Sequence, residues 1–233
     1  MKQLPLGVQL RDHARYATFV AGNNANLVAH LRSLVAAAAA TPVTWLWGAS
    51  GTGKTHLLQA TCAASAGAGR RSGYVPLGDP ALPPDVLDGW GALDLVCADD
   101  LQRVAGDAAW ERALFALFNG LSEHGGTLLV ASECSPGALS FVLPDLESRL
   151  RSGPVFQLSS LDDAGRLEAL REHARARGLD LPPATARYLL GRTRRDMHSL
   201  SAILEKLDQA SLAAQRRLTI PFVRELLGDA GTD

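Results

Sequence analysis

Hydrophobic and polar positions follow two different rhythms along this chain, and the change falls near residue 159. Before it, short continuous apolar runs recur: VTWLW (43–47), SGYVPL (72–77), LDLVCA (93–98), TLLVAS (127–132) and PVFQL (154–158). Runs of this length, rich in β-branched residues and without an alternating polar face, predict strands buried on both sides. Helical patterns separate them: one over 24–40, with Asn24 as N-cap and Pro42 beyond its end, one over 54–67 and one over 107–125. Five strands alternating with helices predict an α/β fold, a parallel sheet covered on both faces. Residues before 13 mix apolar side chains with Pro5 and Gly7, which predicts an extended tail.

After 159 the strand runs stop. SLDDAGRLEALREHARARG, PPATARYLLGR, RDMHSLSAILEKLDQASLAAQ and TIPFVRELLG all carry a helical period. Ser160 or Asp162 can cap the first, Pro182–Pro183 opens the second, and Thr219 with Pro221 opens the fourth. The expected organisation is an extended tail (1–12), an α/β domain (13–158) and a small all-helical domain (159–233).

Composition narrows the picture. Of 233 residues, 47% are hydrophobic and 20% charged, enough to bury a core. A net charge of −1, from 23 Lys+Arg against 24 Asp+Glu, argues against a strongly basic nucleic-acid binder. No apolar run approaches the roughly 18 residues a membrane span needs, and the N-terminus lacks an apolar signal core, so no membrane is expected and a cytoplasmic location is. Cys62, Cys97 and Cys134 are odd in number, widely spaced and set among apolar residues, which reads as reduced core thiols without metal-ligand spacing.

One motif carries chemistry. Gly48-Ala49-Ser50-Gly51-Thr52-Gly53-Lys54-Thr55 matches GxxxxGK[ST], and it runs from a predicted buried strand into a predicted helix. Glycines let several backbone N–H groups converge on phosphate oxygens, and the helix adds its positive N-terminal end. Lys54 would reach the β- and γ-phosphates and Thr55 would ligate Mg²⁺. LDLVCADD places Asp99 at a strand end for the metal's shell, with Asp100 one residue on, where a carboxylate can orient water. Ser132 and Glu133 end the next strand and are candidate sensors of the terminal phosphate. Arg149 and Arg151 precede the last strand. Either could point toward a neighbour's phosphates, or both could be ordinary surface arginines. Arg195 and His198 share a helix face and could fold back on phosphates or be solvated. His56 is read as a packing residue. Gln3-Leu4-Pro5-Leu6 has the form of a short linear motif, and a plain disordered terminus is its alternative.

Together these residues resemble the AAA+ family, and within it the DnaA branch. WLWGASGTGKTHLLQA is similar to the DnaA-type phosphate loop, and LDLVCADDLQRVAGDAAWERALFALFN to its Asp-Asp strand and following helix. The tail, GYVPL (73–77), VLDGW (86–90), LPDLESRL (143–150) and AQRRLTIPFVRELL (214–227) narrow the resemblance to the Hda-like, DnaA-homologous regulatory inactivators. DnaA itself would continue into a basic helix-turn-helix domain, and this chain stops at Asp233. The resemblance implies an AAA+ three-layer αβα domain with a five-stranded parallel sheet, followed by a helical lid. It implies bound ADP or ATP with Mg²⁺, DnaA as partner, and the β sliding clamp of DNA polymerase III bound through Gln3, Leu4, Pro5 and Leu6, with DNA engaged only through the clamp. It implies that Arg149 is an arginine finger offered in trans to ATP on DnaA. It also implies that Tyr16, Phe19 and Val20 line the adenine pocket. The lid position where these proteins carry a sensor arginine is His198 here, with Arg195 one turn away. Head-to-tail homo-oligomers are open to such a module. The competing reading is an AAA+ ATPase turning over in its own right, as a helicase loader or assembly factor. A small-molecule phosphotransferase is disfavoured because the helical region follows the sheet rather than being inserted in it.

Overall fold

The computed structural model describes residues 14–36, 41–192, 197–214 and 218–228. The chain divides into two compact units, one of Met1–Tyr16 with Asn23–Ser159, the other of Ala17–Gly22 with Ser160–Asp233.

In the first unit five strands form one parallel sheet in the order β2-β3-β4-β1-β5. They are β1 (Val43–Trp47), β2 (Ser72–Pro76), β3 (Leu95–Asp99), β4 (Thr127–Ser132) and β5 (Val155–Gln157). The predicted α/β architecture is therefore the observed one. β1 lies between β4 and β5, with Val43 opposite Leu128 and Trp45 opposite Val155. The α-helices among the described residues of this unit are α1 (Ala25–Ala36), α2 (Lys54–Gly67), α3 (Ala108–Glu123) and α4 (Pro144–Leu150).

Strand alternation assigns the faces. Val43, Trp45, Val96, Ala98, Leu128 and Val130 join one buried cluster with Leu114, Leu117, Phe118 and Leu121 of α3 and Leu146 and Leu150 of α4. The intervening residues Leu46, Cys97 and Leu129 are equally buried, and α2 packs on β2, β3 and β4. β3 and β4 are buried along their whole length, as continuous apolar runs require.

Two expectations change. PVFQL reads as a buried strand, yet β5 is a three-residue edge strand with Val155 43% exposed, because only β1 pairs with it. Asn24 reads as the N-cap of α1, but its side-chain amide binds the backbone of Ser159 in both directions, at 3.1 and 2.8 Å. A contact 135 residues away displaces the local cap.

In the second unit α5 (Asp163–Ala176), α6 (Pro183–Arg192), α7 (Met197–Ala214) and α8 (Ile220–Leu227) enclose a core of Leu170, Ala174, Leu189, Leu200, Leu204, Leu207, Phe222 and Val223. Asp162 caps α5 by accepting the Gly165 N–H, and Thr219 caps α8 through Phe222 N–H. No described helix is long and apolar enough to cross a membrane.

Candidate phosphate-loop site and arginine edge

The glycine loop joins the end of β1 to α2. Gly48 donates its N–H to the Ser132 carbonyl at 3.2 Å, which fastens the loop's first residue to β4. A side chain at Gly48 would meet the Leu158 carbonyl at 2.6 Å, so the close approach demands glycine. Gly53 has φ 103°, the left-handed region, and turns the chain directly into Lys54 at the start of α2. No side chain caps that helix start, so its first N–H groups face the loop.

Lys54 is 6% exposed. Its ammonium donates to the carbonyls of Gly48 (2.7 Å) and Ala49 (3.0 Å), and Thr52 Oγ1 donates to the same Ala49 carbonyl at 2.9 Å. Burial pulls the Lys54 pKa down, against the fields of Glu133, Asp99 and Asp100, which favour its charge. Ala49 and Ser50 are exposed at the tip, while Gly51 and Thr55 are half-buried.

Asp99 ends β3 and is 1% exposed. Burial is the main cause of its raised pKa, and the Asp100 charge adds to it. Hydrogen bonds from Thr55, from the Tyr74 hydroxyl (3.1 Å) and from the Asp100 N–H (3.0 Å) oppose the rise. Thr55, at the start of α2, is thus near enough to Asp99, at the end of β3, to favour its charged form, so the predicted metal pair is brought together. Asp100 is the one non-glycine residue with positive φ among the described residues, at 59°. Gln102 holds it, donating to Asp100 Oδ1 at 2.9 Å while accepting the Glu133 N–H at 3.0 Å. One amide therefore links the ends of β3 and β4. Gln102 and the Tyr74 clamp on Asp99 were not legible in the sequence, because both act through residues brought near only by strand pairing.

The expected sensor pair is divided by its surroundings. Ser132 is fully buried; its hydroxyl accepts the Trp45 indole N–H at 2.8 Å and donates to the Cys134 carbonyl at 2.7 Å. Glu133 is exposed.

Tyr16 is half-buried. Its hydroxyl bonds Thr61 of α2 at 2.7 Å, and the Arg32 guanidinium lies 5.3 Å from its ring centroid. Burial pushes its pKa well up. Phe19 and Val20 are half-buried residues of the second unit. His56 reaches the Arg15 carbonyl at 2.9 Å, a tie between α2 and the segment before it. Arg195 and the tail residues Gln3, Leu4, Pro5 and Leu6 lie outside the described residues, as does the side chain of His198, whose backbone is in α7.

At the other edge, the two candidate arginines separate cleanly. Arg151 is tied down: it pairs with Glu147 at 2.8 Å and donates to the Pro136 carbonyl at 2.6 Å. Arg149 is exposed on α4, with its guanidinium 5.7 Å from the Phe118 ring centroid of α3. It is in no ion pair among the described residues.

A parallel sheet in this order, a GxxxxGKT loop at the β1–α2 junction and acidic residues closing β3 make the first unit a phosphate-loop α/β module. Residues 163–227 match the family model of the Hda lid domain. Domain III of the replication initiation protein DnaA from Thermotoga maritima superposes with TM-score 0.81 at 21% identity, over 95% of this chain and 98% of that one. AMPPCP-bound DnaA from Aquifex aeolicus gives 0.69 at 22% identity, over 88% and 67%. The Thermotoga maritima RuvB branch migration motor gives 0.68 at 16% identity, over 95% and 76%. The chain thus has the fold of these proteins, and its residues 163–227 are similar to the Hda lid domain.

Proposed function

We propose that this chain is a regulator of replication initiation that holds ADP or ATP at Gly48–Thr55 and offers Arg149 to ATP bound by DnaA, stimulating hydrolysis there and inactivating the initiator. The observation that carries the reading is the exposed Arg149 guanidinium on α4, in no ion pair among the described residues, beside an Arg151 that is bound to its own fold. A delocalised cation aimed outward from a short, well-packed helix suits a site in which γ-phosphate charge is redistributed. Fingers of this kind are worth about 10³–10⁵ in rate, roughly 4–7 kcal/mol.

The chain's own loop supports nucleotide binding. Its residues also suit Mg²⁺: a hydroxyl near a buried carboxylate, with burial destabilising the carboxylate's charge and Asp100 adding to that pressure. Thr55 and Asp99 would hold the ion, which would neutralise phosphate charge. Lys54 would turn from the loop carbonyls to the phosphates, and Asp100, aimed by Gln102, would orient a water. Glu133 is the better placed of the sensor pair. Gln3, Leu4, Pro5 and Leu6 would dock on the DNA-loaded β sliding clamp, raising the local concentration of the chain near DnaA.

The test is a reconstituted assay with clamp-loaded DNA, ATP-DnaA and this protein, following DnaA-bound nucleotide. Arg149→Ala is expected to fold and to bind nucleotide and clamp without stimulating hydrolysis. Full stimulation by that variant removes the proposal. Substantial ATP turnover by the purified chain alone, lost in Asp99→Ala, would favour an ATPase acting in its own right.

A further inference from the structure

Glu111 sits in the first turn of α3 with 0% of its surface exposed. Its carboxylate accepts three backbone N–H groups: Gly106 at 2.7 Å and Val142 at 3.1 Å on Oε1, and Leu143 at 2.6 Å on Oε2. It is in none of the ion pairs among the described residues. A fully buried carboxylate is costly to desolvate, and here oriented backbone dipoles supply the compensation.

Two of those three donors are the residues that lead into α4. Leu143 is held on both sides: its N–H goes to Glu111 and its carbonyl accepts the Glu147 N–H at 3.3 Å, which opens the helix. α4 has only seven residues, too few to persist by local propensity, so its placement depends on what grips it. Leu146 and Leu150 anchor its inner face in the cluster built by α3. Seven residues along α3 from Glu111, on the same face, Phe118 lies beneath the Arg149 guanidinium. α3 therefore grips α4 at both ends, by a carboxylate at its entry and by an aromatic ring at Arg149.

We infer that Glu111 is the positioning residue for Arg149: its carboxylate fixes the entry of α4 and so aims the guanidinium out of the module. This rests on the reading of Arg149 given above. Glu111 itself meets no nucleotide; it acts through the backbone of Val142 and Leu143.

Glu111→Gln keeps the shape but turns an NH₂ toward a backbone N–H, so at least one donor loses its acceptor. In the reconstituted assay with the full chain, a small error in aim is expected to lower the maximal DnaA hydrolysis rate roughly 10–100-fold. The half-saturating concentration is expected to stay within about twofold, because docking is untouched. Hydrogen exchange at the Val142 and Leu143 amides is expected to quicken. An unchanged maximal rate, or Val142 and Leu143 amides whose exchange does not quicken, overturns the proposal. Arg149→Ala that stimulates fully overturns both this proposal and the reading beneath it, whereas failure of Glu111→Gln alone leaves Arg149 in its role. Should Glu111→Gln not fold, Glu111→Asp, which keeps the charge and shortens the reach, is expected to show the same fall in rate at unchanged half-saturation.

Discussion

Removing the Ser132 hydroxyl separates structural from sensing chemistry at the end of β4. In the fold that hydroxyl is fully buried, accepts the Trp45 indole N–H at 2.8 Å and donates to the Cys134 carbonyl at 2.7 Å. Trp45 is itself 0% exposed, so water cannot replace the lost acceptor. An orphaned buried donor costs about 1–3 kcal/mol. The Cys134 carbonyl belongs to a half-buried residue and adds little. Ser132→Ala is therefore expected to lose about 2 kcal/mol, a fall of about 1 M in urea midpoint at a slope of about 2 kcal/mol/M. The assay is urea unfolding without nucleotide, followed by circular dichroism, alongside titration with fluorescent ATP and ADP analogues. Both affinities are expected to stay within about twofold, because a hydroxyl committed on both sides has little left for a phosphate. A second variant checks the mechanism. In a Trp45→Phe background the indole donor is gone, and Ser132→Ala is expected to cost about 1 kcal/mol less than in the parent. Unchanged stability together with a lost preference between ATP and ADP would refute this reasoning and return Ser132 to the phosphate.

Lys54→Ala is expected to weaken nucleotide affinity about 100-fold or more, as loss of a charge-assisted phosphate contact does, without lowering apo stability, since burial already disfavours that charge; isothermal titration and urea unfolding check the two halves. Asp99→Asn addresses a raised carboxylate pKa. Above the ordinary 3.8 the folded state binds more protons than the unfolded, so stability falls as pH rises through that window. The variant is expected to flatten this slope and to lose Mg²⁺-dependent nucleotide binding, both read by unfolding and titration across pH. His30 has the opposite sign: burial lowers its pKa below 6.5, so the unfolded state binds more protons just under that pH and stability drops as pH falls through it. His30→Gln, which can keep the 3.0 Å bond to Thr44, is expected to blunt that acid-side drop. Arg151→Ala breaks a partly exposed pair with Glu147 and is expected to cost about 0.2–1 kcal/mol while DnaA stimulation persists, the reverse of Arg149→Ala.

The sheet was legible because a strand buried on both faces leaves a continuous apolar run, and nothing else of that length competes for it. β1, β3 and β4 show this, each fully or almost fully buried. PVFQL was over-read for the same reason: an apolar run carries no mark of how many neighbours a strand has, and β5 has one. Capping residues were legible where the cap is local, as at Asp162 and Thr219, and misleading at Asn24, whose amide was claimed by Ser159.

The site divides along the same line. A glycine loop is contiguous, so Gly48–Thr55 declares itself in eight letters, and each strand-end carboxylate declares itself by closing an apolar run. What aims those groups is not contiguous. Tyr74 reaches Asp99 over 25 positions, Gln102 reaches Glu133 over 31, and Glu111 reaches Leu143 over 32. Each is an ordinary polar residue whose partner is chosen by strand order and helix packing. Arg149 and Arg151 make the point most sharply. Two positions apart and identical in chemistry, they are told apart in the sequence only by the family resemblance of LPDLESRL. On the helix one turns to Glu147 and Pro136 and is neutralised, while the other lies over Phe118 with its charge unspent. A cation already paired within its own fold cannot lend its full field to a neighbour's phosphates, so on the proposed reading Arg149, and not Arg151, is the residue whose loss is expected to abolish stimulation in trans.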